Sequence, residues 1–210
     1  MTLRWEWLGR VEHAACAEQQ RARRDAIIAG QADEVVWCVE HPPTVTVGRR
    51  PAPGTPSSEA LSKLGIAYSR TERGGLATWH GPGQLVVYPL VSLWAHRLKV
   101  KDYVSRLEQV TIDWLATLGL DDARRRPGFP GVWVGNDKVA AVGIHIRRGV
   151  SLHGLAINLA PDLRGFSAIV PCGIADGGVT SVARICGQAP SVEVAAQEFG
   201  PLVANRLTTY

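Results

Sequence analysis

The stretch GVWVGNDKVAAVGIHIRRGVSLHGLAINL, residues 131–159, decides the fold. Three apolar runs, Gly131 to Val134, Lys138 to Ile146 and Ser151 to Leu159, are separated by Gly135-Asn136-Asp137 and Arg147-Arg148-Gly149. Short connections containing Gly, Asn or Asp between such runs are hairpin turns, because these residues reach positive φ at little cost. The stretch therefore predicts three successive antiparallel strands. Upstream, Lys101 to Leu118 puts Tyr103, Val104, Leu107, Val110, Trp114, Leu115 and Leu118 on one face at helical period, and Gly119 ends it. Leu85-Val-Val-Tyr88 reads as a strand that Pro89 closes. Glu34 to Glu40 and Thr44 to Val47 read as strands on either side of a stiff His41-Pro42-Pro43 turn. Glu12 to Ala29 is a helix rich in Ala and Arg, and Leu3 to Val11 is a short edge strand. Downstream, Ser191 to Leu207 has helical patterning that Gly200-Pro201 should kink or split. Hairpin strands with helices at both ends and in the middle predict an α+β fold. It should have a mixed, mainly antiparallel sheet with flanking helices, not a doubly wound parallel sheet.

The chain has 210 residues, 46% hydrophobic and 20% charged, which suits one domain spanning 1–210 with a full core. It contains no apolar run long enough for a membrane helix and opens without a secretory leader, so the cytoplasm is the expected compartment. The net charge of +4 is carried almost wholly by arginine, with 19 Arg against 4 Lys. Arginine clusters at Arg21/Arg23/Arg24, Arg49/Arg50, Arg124 to Arg126 and Arg147/Arg148 are either a solvated surface or a docking face for acidic partners or phosphates. No zinc-finger, RRM or helix-turn-helix pattern accompanies them, so nucleic acid is not an expected partner. The cysteines, at 16, 38, 172 and 186, form no CxxC and lack histidines at zinc spacing. Neither a metal site nor a disulfide framework is expected.

Four segments can carry chemistry. In RGGLATWHGPGQL, residues 73–85, glycine-rich stretches flank a short strand ending at His80. Glycine lets backbone N–H groups approach a ligand oxygen, although tight turns around a hairpin would look the same. The pattern is neither a P-loop nor GxGxxG. Lys138 follows a turn and leads into an apolar strand, which makes it a candidate for acid/base work or an ordinary turn lysine. His153 punctuates a strand, either as a base or as a satisfied core histidine. Cys172 sits between Pro171 and Gly173 in VPCGIADGGVT, residues 170–180, where a sharp turn presents a side chain instead of packing it. Cys38, by contrast, lies mid-strand. Cys172 is thus the candidate nucleophile.

Together these pieces resemble the lipoyl(octanoyl) transferase family. RGGLATWHGPGQLVVYPL (73–90), KVAAVGIHIRRGVSLHGLAINL (138–159) and VPCGIADGGVTS (170–181) carry the likeness in their order and spacing. Trp79 and Ile157 depart from it, standing where many members have Tyr and Leu. The resemblance implies the biotin/lipoate protein ligase fold. It also implies octanoyl transfer from acyl carrier protein to a lysine of lipoyl domains, such as those of 2-oxoacid dehydrogenases and the glycine-cleavage H protein, as the first step of endogenous lipoate synthesis, without a cofactor. Cys172 matches the acyl-carrying cysteine and Lys138 the lysine that tunes it. The acyl-binding stretches map to Arg73, Gly74, Gly75, Leu76, Ala77, Thr78, Trp79 and His80, to Ala141, Val142 and Gly143, and to Gly154, Leu155 and Ala156. Val142, Leu155 and Trp79 are the expected walls of an apolar slot, and His80 and His153 are candidate orienting groups. Two rival readings remain: a cysteine hydrolase pairing Cys172 with His153 or His80, and a noncatalytic acyl-binding protein.

Overall fold

The computed structural model describes residues 3–50, 54, 56–169 and 177–208. In chain order the elements begin with β1 (Arg4–Arg10), α1 (His13–Ile28), β2 (Val35–Glu40), β3 (Thr44–Val47), α2 (Ser58–Lys63), β4 (Ala67–Arg70) and β5 (Ala77–His80). There follow β6 (Gln84–Leu90), α3 (Val100–Thr117), β7 (Arg124–Arg125), β8 (Gly131–Val134), β9 (Asp137–Arg147) and β10 (Val150–Asn158). A 3₁₀ turn (Leu163–Ala168), β11 (Gly178–Val179), α4 (Val182–Cys186) and α5 (Val192–Thr208) complete the described chain.

The main sheet runs β1-β2-β6-β10-β9-β8-β7, and a smaller one runs β4-β3-β5. Pairing is antiparallel except for β1 with β2, β11 with β9 and β3 with β4. The expected α+β class with a mixed, mainly antiparallel sheet is the observed one. The β9–β10 turn has Arg148 at φ 48° and Gly149 at φ 81°, the pair of positive values that a tight right-twisted hairpin needs.

Side-chain alternation divides the core. Leu85 and Val87 of β6 join Leu155 and Ile157 of β10 beneath α3 and α5, where Leu107, Phe199 and Val203 meet them. Val86, Tyr88, Leu152 and Ala156 face the opposite way and pack near Cys16 of α1. Successive strand residues point to opposite faces, so the central strands are apolar throughout instead of alternating. A third cluster, with Val45, Val47, Leu61, Trp79 and Phe166, fills the small sheet. Among the described residues no helix is long and apolar enough to cross a membrane.

Two expectations about proline change. Pro89 does not end β6, which continues to Leu90 in the middle of the sheet. Its missing N–H causes no loss because the β6–β10 ladder already stops at Val87–Leu155, where His153 turns to φ 60°. Ser151 repairs the gap by donating its hydroxyl to the Pro89 carbonyl at 2.6 Å and accepting the Val91 N–H at 3.0 Å. Pro201 likewise does not split the last helix, since α5 runs from Val192 to Thr208 through it. Packing of Val192, Ala195, Ala196, Phe199, Val203, Ala204 and Leu207 against the sheet outweighs one lost backbone bond. Gly200 is small for a separate reason, because a Cβ there would strike the Trp5 ring.

Candidate active site

A cavity of about 380 Å³ lies between one face of β6, β10 and β9 and the segment 73–78. The hairpin register fixes its direction. Ala140 is opposite Ile157, and Ile157 is opposite Leu85, so Lys138 of β9 and Tyr88 of β6 are two strands and five residues apart. That is about 10 Å across the sheet and about 17 Å along it. Lys138, Phe129 and Pro130 line one end, where Phe129 and Pro130 are exposed. His13, Tyr88, His80 and His153, all buried, line the other.

Of the residues expected to bind the acyl chain, Arg73, Gly74, Gly75, Leu76, Ala77, Thr78, His80, Ala141, Val142, Gly143, Gly154, Leu155 and Ala156 all line this cavity. Lys138 and His153 do too. Trp79 does not, and its expected role as a wall is corrected. Its ring turns into the small-sheet cluster, with its centroid 5.3 Å from that of Phe166. Gly81 and Gly165 make room for that ring, because a Cβ on either would collide with it. Gly154 is required by the strand behind it, where a Cβ would strike the Val87 carbonyl oxygen.

Arg73 is buried and acts as a strut. Its guanidinium donates to the Thr46 carbonyl at 2.8 Å, to Thr46 Oγ1 at 2.9 Å and to the Gly74 carbonyl at 3.0 Å. Thr46 Oγ1 lies 3.5 Å from His80 Nε2. Its lone pairs already face Arg73, so the hydroxyl hydrogen is directed to His80. His80 Nδ1–H in turn donates to Gln84 Oε1 at 2.7 Å, which fixes a neutral tautomer. His41 is neutral by the same logic. Its Nδ1–H donates to the Val11 carbonyl at 2.6 Å, and its Nε2 accepts the Tyr88 hydroxyl at 2.8 Å.

Burial sets the charge state of this end. Desolvation first, and then the His80 and His41 rings, push the His13 pKa down to about 2. Desolvation and His41 push His80 to about 3. Desolvation pushes His153 to about 4 against the pull of Glu72. His41 is also lowered by desolvation, with the Val11 hydrogen bond opposing. His153 Nε2 is 3.4 Å from Glu72 Oε2, near enough for attraction but outside hydrogen-bond geometry. Glu72 is held near pH 2 chiefly by its hydrogen bond from Arg21. The Arg21 cluster is thus partly internal: Arg21 Nε bonds Glu72 at 2.7 Å, and the buried Arg24 bonds Asp25 at 2.9 Å.

The other end is cationic and aromatic. Lys138 Nζ donates to the Pro130 carbonyl at 3.1 Å and stands 4.8 Å from the Trp133 ring centroid. Arg126 lies 4.9 Å from the same ring and 4.8 Å from that of Phe129. Cys172 falls outside the described residues. The chain that follows it is fastened beside Lys138. Val179 of β11 pairs with Lys138, and the Thr180 N–H donates to the Lys138 carbonyl at 3.0 Å. The Thr180 carbonyl accepts Asn158 Nδ2 at 3.0 Å, and Asn158 Oδ1 accepts Gln84 Nε2 at 2.8 Å.

Sequence reasoning missed His13, His41, Thr46, Tyr88, Gln84 and Asn158. A signal for His13 exists. The buried face of α1 is His13, Cys16, Ala17, Gln20 and Arg24, at helical spacing but largely polar. A helix whose inward stripe is polar is facing something other than a plain core. Gln20 reaches the site as well, accepting the N–H of His153 at 3.1 Å.

The same mixed-sheet fold is found in a lipoate-protein ligase. The crystal structure of lipoate-protein ligase A bound with ATP superposes with a TM-score of 0.71 at 19% identity, covering 99% of this chain and 83% of that one. Residues 14–201 match the family model of the lipoyl protein ligase A/B catalytic domain, and the chain belongs to this family. The octanoyltransferase of Mycobacterium avium (strain 104) is 43% identical over 212 residues, covering 95% of this chain and 85% of that protein. The octanoyltransferase of Alkaliphilus metalliredigens (strain QYMF) is 42% identical over 193 residues, covering 90% and 88%.

Proposed function

We propose that the whole chain, 1–210, is one catalytic domain that moves an octanoyl group from the thioester of acyl carrier protein to a lysine of a lipoyl domain, through a thioester on Cys172. The chain is an acyltransferase of the octanoyltransferase kind, acting in lipoate biosynthesis, as are its relatives over nearly its full length. The carrying observation is the cavity: thirteen of the fourteen residues expected to bind the acyl chain line it, with Lys138 at its open end. The cytoplasm, which keeps thiols reduced, suits a cysteine nucleophile.

The chemistry runs in two balanced steps. Cys172 thiolate attacks the donor carbonyl, the new C–S bond forms, and the old C–S bond breaks to release the carrier thiolate. That thiolate takes a proton from the Lys138 ammonium. Neutral Lys138 then removes a proton from the incoming lysine ammonium, whose nitrogen attacks the Cys172 thioester. The amide forms as its nitrogen gives up its second proton to solvent, and Cys172 leaves as thiolate, again paired with the Lys138 ammonium. A neighbouring cation favours the thiolate, which is a minor species for an isolated cysteine at pH 7. Thioester exchange is nearly thermoneutral, so no nucleotide is required. Backbone N–H groups of the Gly-rich segment and of Gly173 are the candidates for holding each oxyanion.

Incubation with octanoyl carrier protein, followed by intact-mass measurement, tests this. The expected result is a gain of one octanoyl group, absent in Cys172→Ala, and its loss when a lipoyl domain is added. Wild-type protein that stays unmodified, or that releases free octanoate without acylating the domain, overturns the reading.

A further inference from the structure

The far end of the cavity is not what a hydrocarbon tail asks for. A terminal methyl prefers Leu, Val or Phe, yet His13, His80, Tyr88 and His153 line that end. All four are buried. Two of them have their side-chain hydrogen-bonding capacity engaged. Tyr88 gives its hydroxyl to His41 and His80 is held between Gln84 and Thr46, while His153 Nε2 makes no hydrogen bond among the described residues and faces the Glu72 carboxylate at 3.4 Å. His13 differs. Its Nδ1 lies 3.1 Å from Ser69 Oγ, while its Nε2 has no hydrogen-bond partner among the described residues. The ring is only 3% exposed and lines the cavity. An imidazole nitrogen at the end of a closed space retains water or takes a hydrogen bond from whatever arrives there.

We propose that His13 gauges the far end of the donor acyl chain, stopping a bare hydrocarbon at the point where it would strip this nitrogen of its partner and accepting a chain whose last carbon carries a hydroxyl. The inference rests on the octanoyl transfer proposed above. Along the Val142 and Leu155 walls each buried methylene improves binding by about fourfold. That gain ends at the imidazole, because a methyl group there displaces water without replacing its hydrogen bond. A terminal hydroxyl replaces it. Residues acting this way set specificity without touching the thioester.

The test compares carrier-protein thioesters of octanoate, decanoate and 8-hydroxyoctanoate, reading kcat/KM for transfer to a lipoyl domain. Ratios between donors within one variant are unaffected by the fraction of protein that folds. In His13→Leu, the decanoyl-to-octanoyl ratio should rise about tenfold and the hydroxyoctanoyl-to-octanoyl ratio should fall about tenfold. In His13→Gln, which keeps a hydrogen-bonding group, both ratios should return toward wild type. Tyr88→Phe, which preserves shape, provides a second variant with a smaller shift in the same directions. A merely structural role would move the two ratios together or not at all. Ratios within twofold of wild type in both His13→Leu and Tyr88→Phe, with octanoyl transfer intact, overturn the gauge and leave the proposed function standing. Wild type that transfers no octanoyl group overturns both.

Discussion

The two ends of the cavity hold basic side chains under opposite conditions. Around His13, His41, His80 and His153 the side chains are shielded from bulk solvent, and each imidazole is held neutral by burial. Around Lys138 and Arg126 the cations lie on aromatic faces close to solvent, and Phe129 beside them is 37% exposed. The difference teaches that charge in this site follows solvent access more than residue type. Four histidines and an arginine share the inner space, and the arginine alone keeps its charge there, because Thr46 and Gly74 supply carbonyl and hydroxyl oxygens to it.

Acid should break this contrast most strongly. Native pKa values of about 2, 3 and 4 for His13, His80 and His153 lie below the ordinary 6.5. The unfolded chain therefore binds more protons than the folded one as pH drops below 6.5. Stability is complete above that pH and is lost on the way down toward the native values. Between pH 7.5 and 5 each of the three should cost about 2 kcal/mol, or about 6 kcal/mol together. That is a large part of a typical domain's stability. Urea midpoints at pH 7.5, 6 and 5 measure it, and a flat midpoint would show that these rings are charged or solvated. Below pH 4.5, protonation of Glu72, whose native pKa is about 2, adds to the loss.

At the open end, Lys138→Ala should lower single-turnover transfer by about 10²–10⁴-fold. A cysteine hydrolase relying on His153 or His80 would keep most of its activity, so the variant separates the two chemistries. Between the ends, Thr46→Val removes the hydroxyl shared by Arg73 and His80. It should destabilise the fold by about 1–3 kcal/mol, because buried groups lose a partner. Equal melting of variant and wild type would show that the strut does not depend on that oxygen. The smallest effect concerns the surface. Arg124 and Arg125 are exposed and pair with β8 beside Lys138, so affinity for an acidic carrier protein should fall several-fold, by about 3–10 times, between 50 and 300 mM salt. Binding indifferent to salt would remove these arginines from docking.

Much of this was legible in the residue order, and the misses share a cause. The β8–β9–β10 hairpins and α3 were readable because turn chemistry and side-chain period are local. Pro89 and Pro201 were misjudged because their tolerance depends on partners far away in sequence, Ser151 for one and the sheet beneath α5 for the other. Trp79 sits in the middle of a motif that otherwise faces the cavity, and alternation along a four-residue strand is too short to say which way it turns. His13 and His41 carry no motif. They become a cluster only when α1 is laid across the sheet, with ring centroids 5.1 Å apart. Cys172 is the reverse case, a residue marked by its Pro and Gly neighbours in sequence that lies outside the described residues.

Helix α5, the last described helix, lies against β1, the first described strand, and against β2 and β6 beside it. Phe199, Val203 and Leu207 thereby cover Cys38, Leu85 and Val87. During synthesis the ribosome must release residues 192–208 before that apolar surface has a cover. Until then a partly translated chain carries an open greasy face, and that is when it is most exposed to aggregation and most in need of a chaperone.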